Sequence, residues 1–108
     1  MAFLTSEELQ KLGFKAFGRD VHISDKAAIH GASRITIGNN VRIDDFCVLS
    51  AGQGGITLGN NIHIAVYSSL IGNGEIIMDD FSGLSSKVSI YSSNDDYSGA
   101  FLTNPTIP

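Results

Sequence analysis

Ile37-Gly38-Asn39-Asn40-Val41-Arg42-Ile43 returns 21 residues later as Leu58-Gly59-Asn60-Asn61-Ile62-His63-Ile64, and Phe17-Gly18-Arg19-Asp20-Val21-His22-Ile23 precedes both in the same pattern. Each stretch is apolar at its first and seventh positions. Counting onward in sixes gives Phe17, Ile23, Ile29; Ile37, Ile43, Leu49; Leu58, Ile64, Leu70; and Met78, Leu84, Ile90, all apolar. Between groups the step widens to 8, 9 and 8, so the larger period is 20, 21 and 20 residues. A period of that size marks a solenoid, and the six-residue sub-period marks three short strands per coil. The expected fold is all-β: a parallel β-helix of about four coils.

A second set of positions agrees. Four residues after each apolar one stands a small or β-branched residue: Val21, Ala27, Ser33, Val41, Cys47, Ile62, Ser68, Gly74, Ser82 and Val88, with Gln53 and Asn94 as departures. Coils stacked about 4.8 Å apart place such residues beneath one another in a narrow interior. The glycines and asparagines are expected at corners, where bends are tight and dihedrals left-handed. A hairpin sandwich would break the count at its turns, but the one Asn-Gly pair, Asn73-Gly74, lies inside the six-residue phase.

Three segments are expected: a cap over 1–16, the β-helix over 17–97 and an extended tail over 98–108. In the cap, Thr5-Ser6-Glu7-Glu8 reads as a capping box opening a helix at about 6–12, with Gly13 as its stop. Its expected task is to plug the first coil. The coils are expected at 17–36, 37–57, 58–77 and 78–97, with Gly52-Gln53-Gly54-Gly55 as a bulge, not a phosphate loop. The net charge of −4 and the absence of a basic cluster argue against a nucleic-acid partner. No apolar run approaches 18 residues and no signal-peptide layout is seen, so a cytoplasmic chain with no membrane partner is expected. Cys47 falls on an interior position and reads as a packed thiol. His22, His30 and His63 are scattered without cysteine partners, so no metal site is expected.

The hexapeptides Ile37 to Arg42 and Leu58 to His63 resemble those of the left-handed β-helix acyltransferases. Ile43 to Ser50, Tyr67 to Gly72 and Ile90-Tyr91-Ser92-Ser93 bring the chain nearest to the maltose, galactoside and O-antigen sugar O-acetyltransferases. The resemblance implies a left-handed helix, a homotrimer with active sites between subunits, and acetyl-CoA as co-substrate without a metal. It implies direct transfer to a sugar hydroxyl, with a histidine as general base and backbone N–H groups on the oxyanion. The sequence departs from that family twice. Asp95 stands where an Ile-Tyr-x-x-x-His string would place the base, and the further coils that build much of the CoA groove are absent before Pro108. The chain thus resembles the N-terminal half of such an enzyme and reads as truncated. A non-catalytic trimeric scaffold or binding module, lacking the donor site, is the alternative.

The candidate catalytic residues are Asp95 and His63. Counted by coil, His63 stacks with His22, Arg42 and Gly83 on an outward position; it reads as a replacement base or substrate contact, or else as a solvated corner residue. Tyr91, Ser93, Asn94, Asp96 and Tyr97 are the candidate substrate contacts, the tyrosines by stacking on a sugar ring. The acid pairs Asp44-Asp45 and Asp79-Asp80 are expected as solvated corner residues whose side chains diverge. Phe46 and Phe81, at equivalent hexapeptide positions, are expected to face outward toward another subunit.

Overall fold

In the computed structural model, which describes residues 2–93 and the backbone of 100–102, the six-residue count becomes three parallel sheets. The first contains β1 (Ala16–Phe17), β4 (Ile35–Ile37), β7 (Ile56–Leu58), β10 (Ile76–Met78) and β13 (Ala100–Leu102). The second contains β2 (Val21–Ile23), β5 (Val41–Ile43), β8 (Ile62–Ile64) and β11 (Gly83–Leu84). The third contains β3 (Ala28–His30), β6 (Val48–Ala51), β9 (Ser69–Gly72) and β12 (Ser89–Ser92). Each coil contributes one strand to each sheet, and every strand pairs with its counterpart one coil away. β13 pairs Leu102 with Met78, so the first sheet continues into the segment expected as a tail.

The register turns sequence columns into spatial ones. Ile23, Ile43, Ile64 and Leu84 stack, as do Ile29, Leu49, Leu70 and Ile90. Of the twelve repeat positions, nine are buried; Phe17, Ile29 and Ile90, in the end coils, are partly covered. Each fully buried Ile or Leu contributes about 1.5–3 kcal/mol, and the six-residue phase keeps all of them on one interior. Cys47 lies fully buried among them. Its desolvation pushes the thiol above its ordinary value, although backbone hydrogen bonds from Ser68, Asp44 and Tyr67 oppose the rise.

The corners divide their work between residue types. Asp20, Asn40 and Asn61 take left-handed φ of 56°, 58° and 59°, which short polar side chains tolerate. The residue before each left-handed corner links neighbouring coils: Arg19 N donates to Asn39 Oδ1, Asn39 N to Asn60 Oδ1 and Asn60 N to Asp80 Oδ1, at 2.7, 2.8 and 2.8 Å. The glycines ahead of them are needed for close approach, not for φ: a Cβ on Gly38 would lie 2.5 Å from Gly59 O. In the longer corner, Gly55 (φ 78°) and the short turn Ala32–Arg34 absorb the extra residues, and Gly52 N donates to Gly72 O.

The capping box forms as expected. Helix α1 (Ser6–Leu12) opens with Glu8 N donating to Thr5 Oγ1 and Thr5 N to Glu8 Oε1, and it stops at Gly13 with φ 79°. Leu9 joins the buried core, with Leu4, Phe14 and Phe17 packed against it. Ahead of the helix, Phe3 bridges antiparallel to Ser24, and Leu4 N donates to Ile23 O. Among the described residues no helix is long and apolar enough to cross a membrane.

Candidate functional site

Residues alternate in a strand, so each sheet that buries one residue points the next outward. On the second sheet the outward column is His22, Arg42, His63 and Gly83, paired in that order. The coil-by-coil stacking expected for His63 is thus observed. Two residues beyond Arg42, on the same side, comes Asp44. It is 6% exposed, which corrects its reading as a solvated corner residue. Arg42 Nε donates to its Oδ1 at 2.8 Å, and His63 Nε2 lies 2.8 Å from its Oδ2. Two neighbouring coils supply these partners and cover the carboxylate between them. Burial alone would raise the Asp44 carboxyl; hydrogen bonds and charge from Arg42 and His63 more than offset this and hold it below the usual carboxylate range. Its neighbour Asp45 turns away to accept from the buried Ser24 hydroxyl, so the two side chains do diverge.

The array continues toward the N-terminus. Phe3 meets His22 edge-on with centroids 5.3 Å apart, and the Arg42 guanidinium lies 5.5 Å from the Phe3 ring centre. Toward the next coil, His63 borders a cleft of about 580 Å³ with Phe81, Gly83, Ser85 and Ser86. Gly83 leaves the place above His63 without a side chain.

The third sheet presents a different outward face. Ser50, Ile71 and Tyr91 stack there, and Tyr91 is 69% exposed. With Arg34, Asn73 and Ser93 they border a cleft of about 710 Å³. Arg34 already spends its guanidinium on the carbonyls of Ala51 and Gly52. Tyr91 and Ser93 therefore share one cleft, but His63 lies in another, on a different sheet. Asn94, Asp95, Asp96 and Tyr97 lie outside the described residues. Phe46 and Phe81 do face outward, at 49% and 61% exposure, and Phe46 stacks on Tyr67 with centroids 5.2 Å apart. Phe46, Tyr67 and Phe81 hold φ of 61°, 61° and 64°, a conformation that costs a bulky residue about 1–2 kcal/mol.

Sequence reasoning missed Asp44, Ser85 and Ser86. Asp44 was within reach of it: on a strand Arg42 and Asp44, two apart, share a side, and the coil count already placed His63 beside Arg42. Among the described residues no group of three or more His, Cys, Asp or Glu is placed to hold a metal ion.

No family model matches the chain. A dTDP-4-amino-4,6-dideoxy-D-glucose acyltransferase from Escherichia coli is 56% identical over 108 residues, which is 100% of this chain and 56% of that protein. Crystal structures of AntD, an N-acyltransferase from Bacillus cereus, share the fold. The complex with dTDP and 3-hydroxybutyryl-CoA has a TM-score of 0.79 at 48% identity, covering 98% of this chain and 55% of that one. A serine-to-cysteine variant with dTDP-4-amino-4,6-dideoxyglucose and coenzyme A has a TM-score of 0.76 at 47% identity, covering 98% and 56%. Other AntD structures carry a replaced aspartate, ten residues beyond that serine. The chain thus spans little more than half the length of the proteins it matches. With its hexapeptide columns, its three parallel sheets and this identity across all 108 residues, the chain is similar to the hexapeptide-repeat acyltransferases over a little more than half of their length.

Proposed function

We propose that the chain serves an acyl-CoA-dependent N-acyltransferase that acylates the amino group of a dTDP-linked 4-amino-4,6-dideoxy sugar. The observation that carries this is the 56% identity over the whole chain to an enzyme named for that acceptor. AntD complexes with dTDP and 3-hydroxybutyryl-CoA support the same pair of ligands. An amine acceptor replaces the hydroxyl expected from the sequence, and it removes the difficulty that Asp95 posed. A carboxylate of ordinary pKa, about 3.9, is a poor base for an alcohol. An attacking amine becomes positively charged as its nitrogen bonds to the thioester carbon, and gives up its proton far more readily. The amine nitrogen forms the new C–N bond and the C–S bond breaks. Asp95 accepts the ammonium proton and passes it to the departing thiolate, leaving an amide and free CoA.

The serine and aspartate replaced in AntD stand ten apart, a spacing this chain repeats from Ser85 to Asp95 and from Ser86 to Asp96. Ser85 and Ser86 border the His63 cleft. We read Ser85 and His63 as contacts to the acceptor, Asp95 as the proton acceptor, and Tyr91, Ser93, Asn94, Asp96 and Tyr97 as further substrate contacts. The His63 and Tyr91 clefts belong to different sheets, so a site that uses both is formed between two copies of the chain. A homotrimer supplies that geometry three times, with Phe46 and Phe81 as contacts between copies.

Incubating the chain with acetyl- or 3-hydroxybutyryl-CoA and dTDP-4-amino-4,6-dideoxyglucose, and following thiol release, tests this reading. Release that requires the amino sugar and stops with its 4-hydroxy counterpart is expected. A folded chain that binds neither ligand at millimolar concentration would instead support the non-catalytic scaffold.

A further inference from the structure

Among the described residues Asp44 is the only buried acid, and the chemistry above gives it no task. Its partners Arg42 and His63 keep side chains 53% and 56% exposed. Ion pairs so open to solvent are screened and weak, so stability is a poor reason for burying a carboxylate between them. Geometry offers a better one. We infer that Asp44 is a positioning residue that holds His63 by Nε2 and so makes Nδ1 the ring nitrogen that meets the acceptor sugar. The inference rests on reading His63 as an acceptor contact.

The chemistry follows from which group can donate. The Asp44 carboxyl is held below its usual range by Arg42 and His63 despite its burial, so near neutral pH it is a carboxylate and only accepts. The hydrogen bond at 2.8 Å then requires the proton on His63 Nε2. In its neutral form His63 then carries its lone pair on Nδ1. A lone pair accepts a hydrogen bond; it has nothing to offer a phosphate oxygen. In that form His63 reads an N–H or O–H donor on the sugar, not the diphosphate. Gly83 leaves room for that contact, since the column has no side chain beyond His63, and Ser85 and Ser86 border the same cleft. Arg42 adds a charge that keeps Asp44 ionised, and Phe3 lies against both Arg42 and His22 from the N-terminal segment.

The test uses the 108-residue chain, nitrogen-labelled at histidine, and its Asp44→Asn and His63→Ala variants. Long-range proton–nitrogen correlations are expected to show His63 with its proton on Nε2 in the wild type, and to show that tautomer lost or mixed in Asp44→Asn. By calorimetry, both variants are expected to bind dTDP-4-amino-4,6-dideoxyglucose about tenfold more weakly and to bind dTDP as the wild type does. The double variant is expected to be no weaker than His63→Ala, and Asp44→Glu to recover part of the loss. An unchanged tautomer in Asp44→Asn, an equal loss for dTDP, or losses that add in the double variant would overturn the inference. These readouts do not depend on turnover. A chain that binds as expected but transfers no acyl group would therefore contradict the proposed reaction and leave the role of Asp44 standing.

Discussion

Two outward faces of the same coils lie eight residues apart in sequence, from Arg42 to Ser50 and from His63 to Ile71, and follow different designs. On the second sheet, Arg42, Asp44 and His63 are drawn together from two coils, and a buried carboxylate holds two side chains in set directions. On the third sheet, Ser50, Ile71 and Tyr91 stack without such a holder, and Tyr91 stands 69% exposed beside the larger cleft. The interiors behind the two faces are alike: stacked Ile and Leu at the same spacing. A solenoid separates the two tasks, because the inward residues alone maintain the fold and the outward ones are left to chemistry. One face is held in place by contacts within the chain; the other leaves Tyr91 open to solvent.

The largest expected effect breaks the proposed chemistry. Asp95→Asn is expected to lower turnover about 10²–10⁴-fold while leaving the thermal midpoint unchanged; wild-type turnover would remove Asp95 as the proton acceptor. Next comes the third face's backbone. A Cβ on Gly72 would sit 1.9 Å from Ser92 O, whereas one on Gly83 would sit 2.8 Å from His63 O. Gly72→Ala is expected to cost about 3 kcal/mol and Gly83→Ala about 1 kcal/mol. Equal midpoints in urea would show that the coils relax more easily than their spacing suggests.

The smallest effect concerns pH. The Asp44 carboxyl lies below its unfolded value of about 3.9. Its contribution to stability is therefore complete above that value and disappears as pH falls through the folded one. Asp44→Asn is expected to flatten the fall in thermal midpoint below about pH 4, by well under 1 kcal/mol because Arg42 and His63 are half in solvent. Cys47 acts in the opposite direction: burial raises its thiol, so its contribution declines as pH climbs past about 8.5. An alanine there should flatten that alkaline limb.

The columns were legible because burial imposes a strict rule: an interior six residues wide admits apolar side chains only at its own period. The capping box was legible for a local reason, since Thr5 and Glu8 are three residues apart. The burial of Asp44 was not read, because it depends on a hydrogen bond to a residue 19 positions away, and corner spacing does not say which way a side chain turns. Nor does the sequence betray that Phe46, Tyr67 and Phe81 hold left-handed φ, where asparagine does the same without strain one corner away. On the proposed reading the nucleophile is an amine where the sequence pointed to a hydroxyl, because that atom belongs to the ligand and not to this chain.

Mixing two damaged chains tests most directly whether the two faces meet across copies. His63→Ala, which keeps Asp95, and Asp95→Asn, which keeps His63, would be unfolded together, refolded at equal amounts and assayed at low acceptor concentration. If each site takes His63 from one copy and Asp95 from the next, about one quarter of the sites in randomly mixed trimers carry both. Activity should then rise to about one quarter of wild type. Activity no higher than the mean of the two variants refolded separately would place both residues in one chain and contradict a site shared between copies.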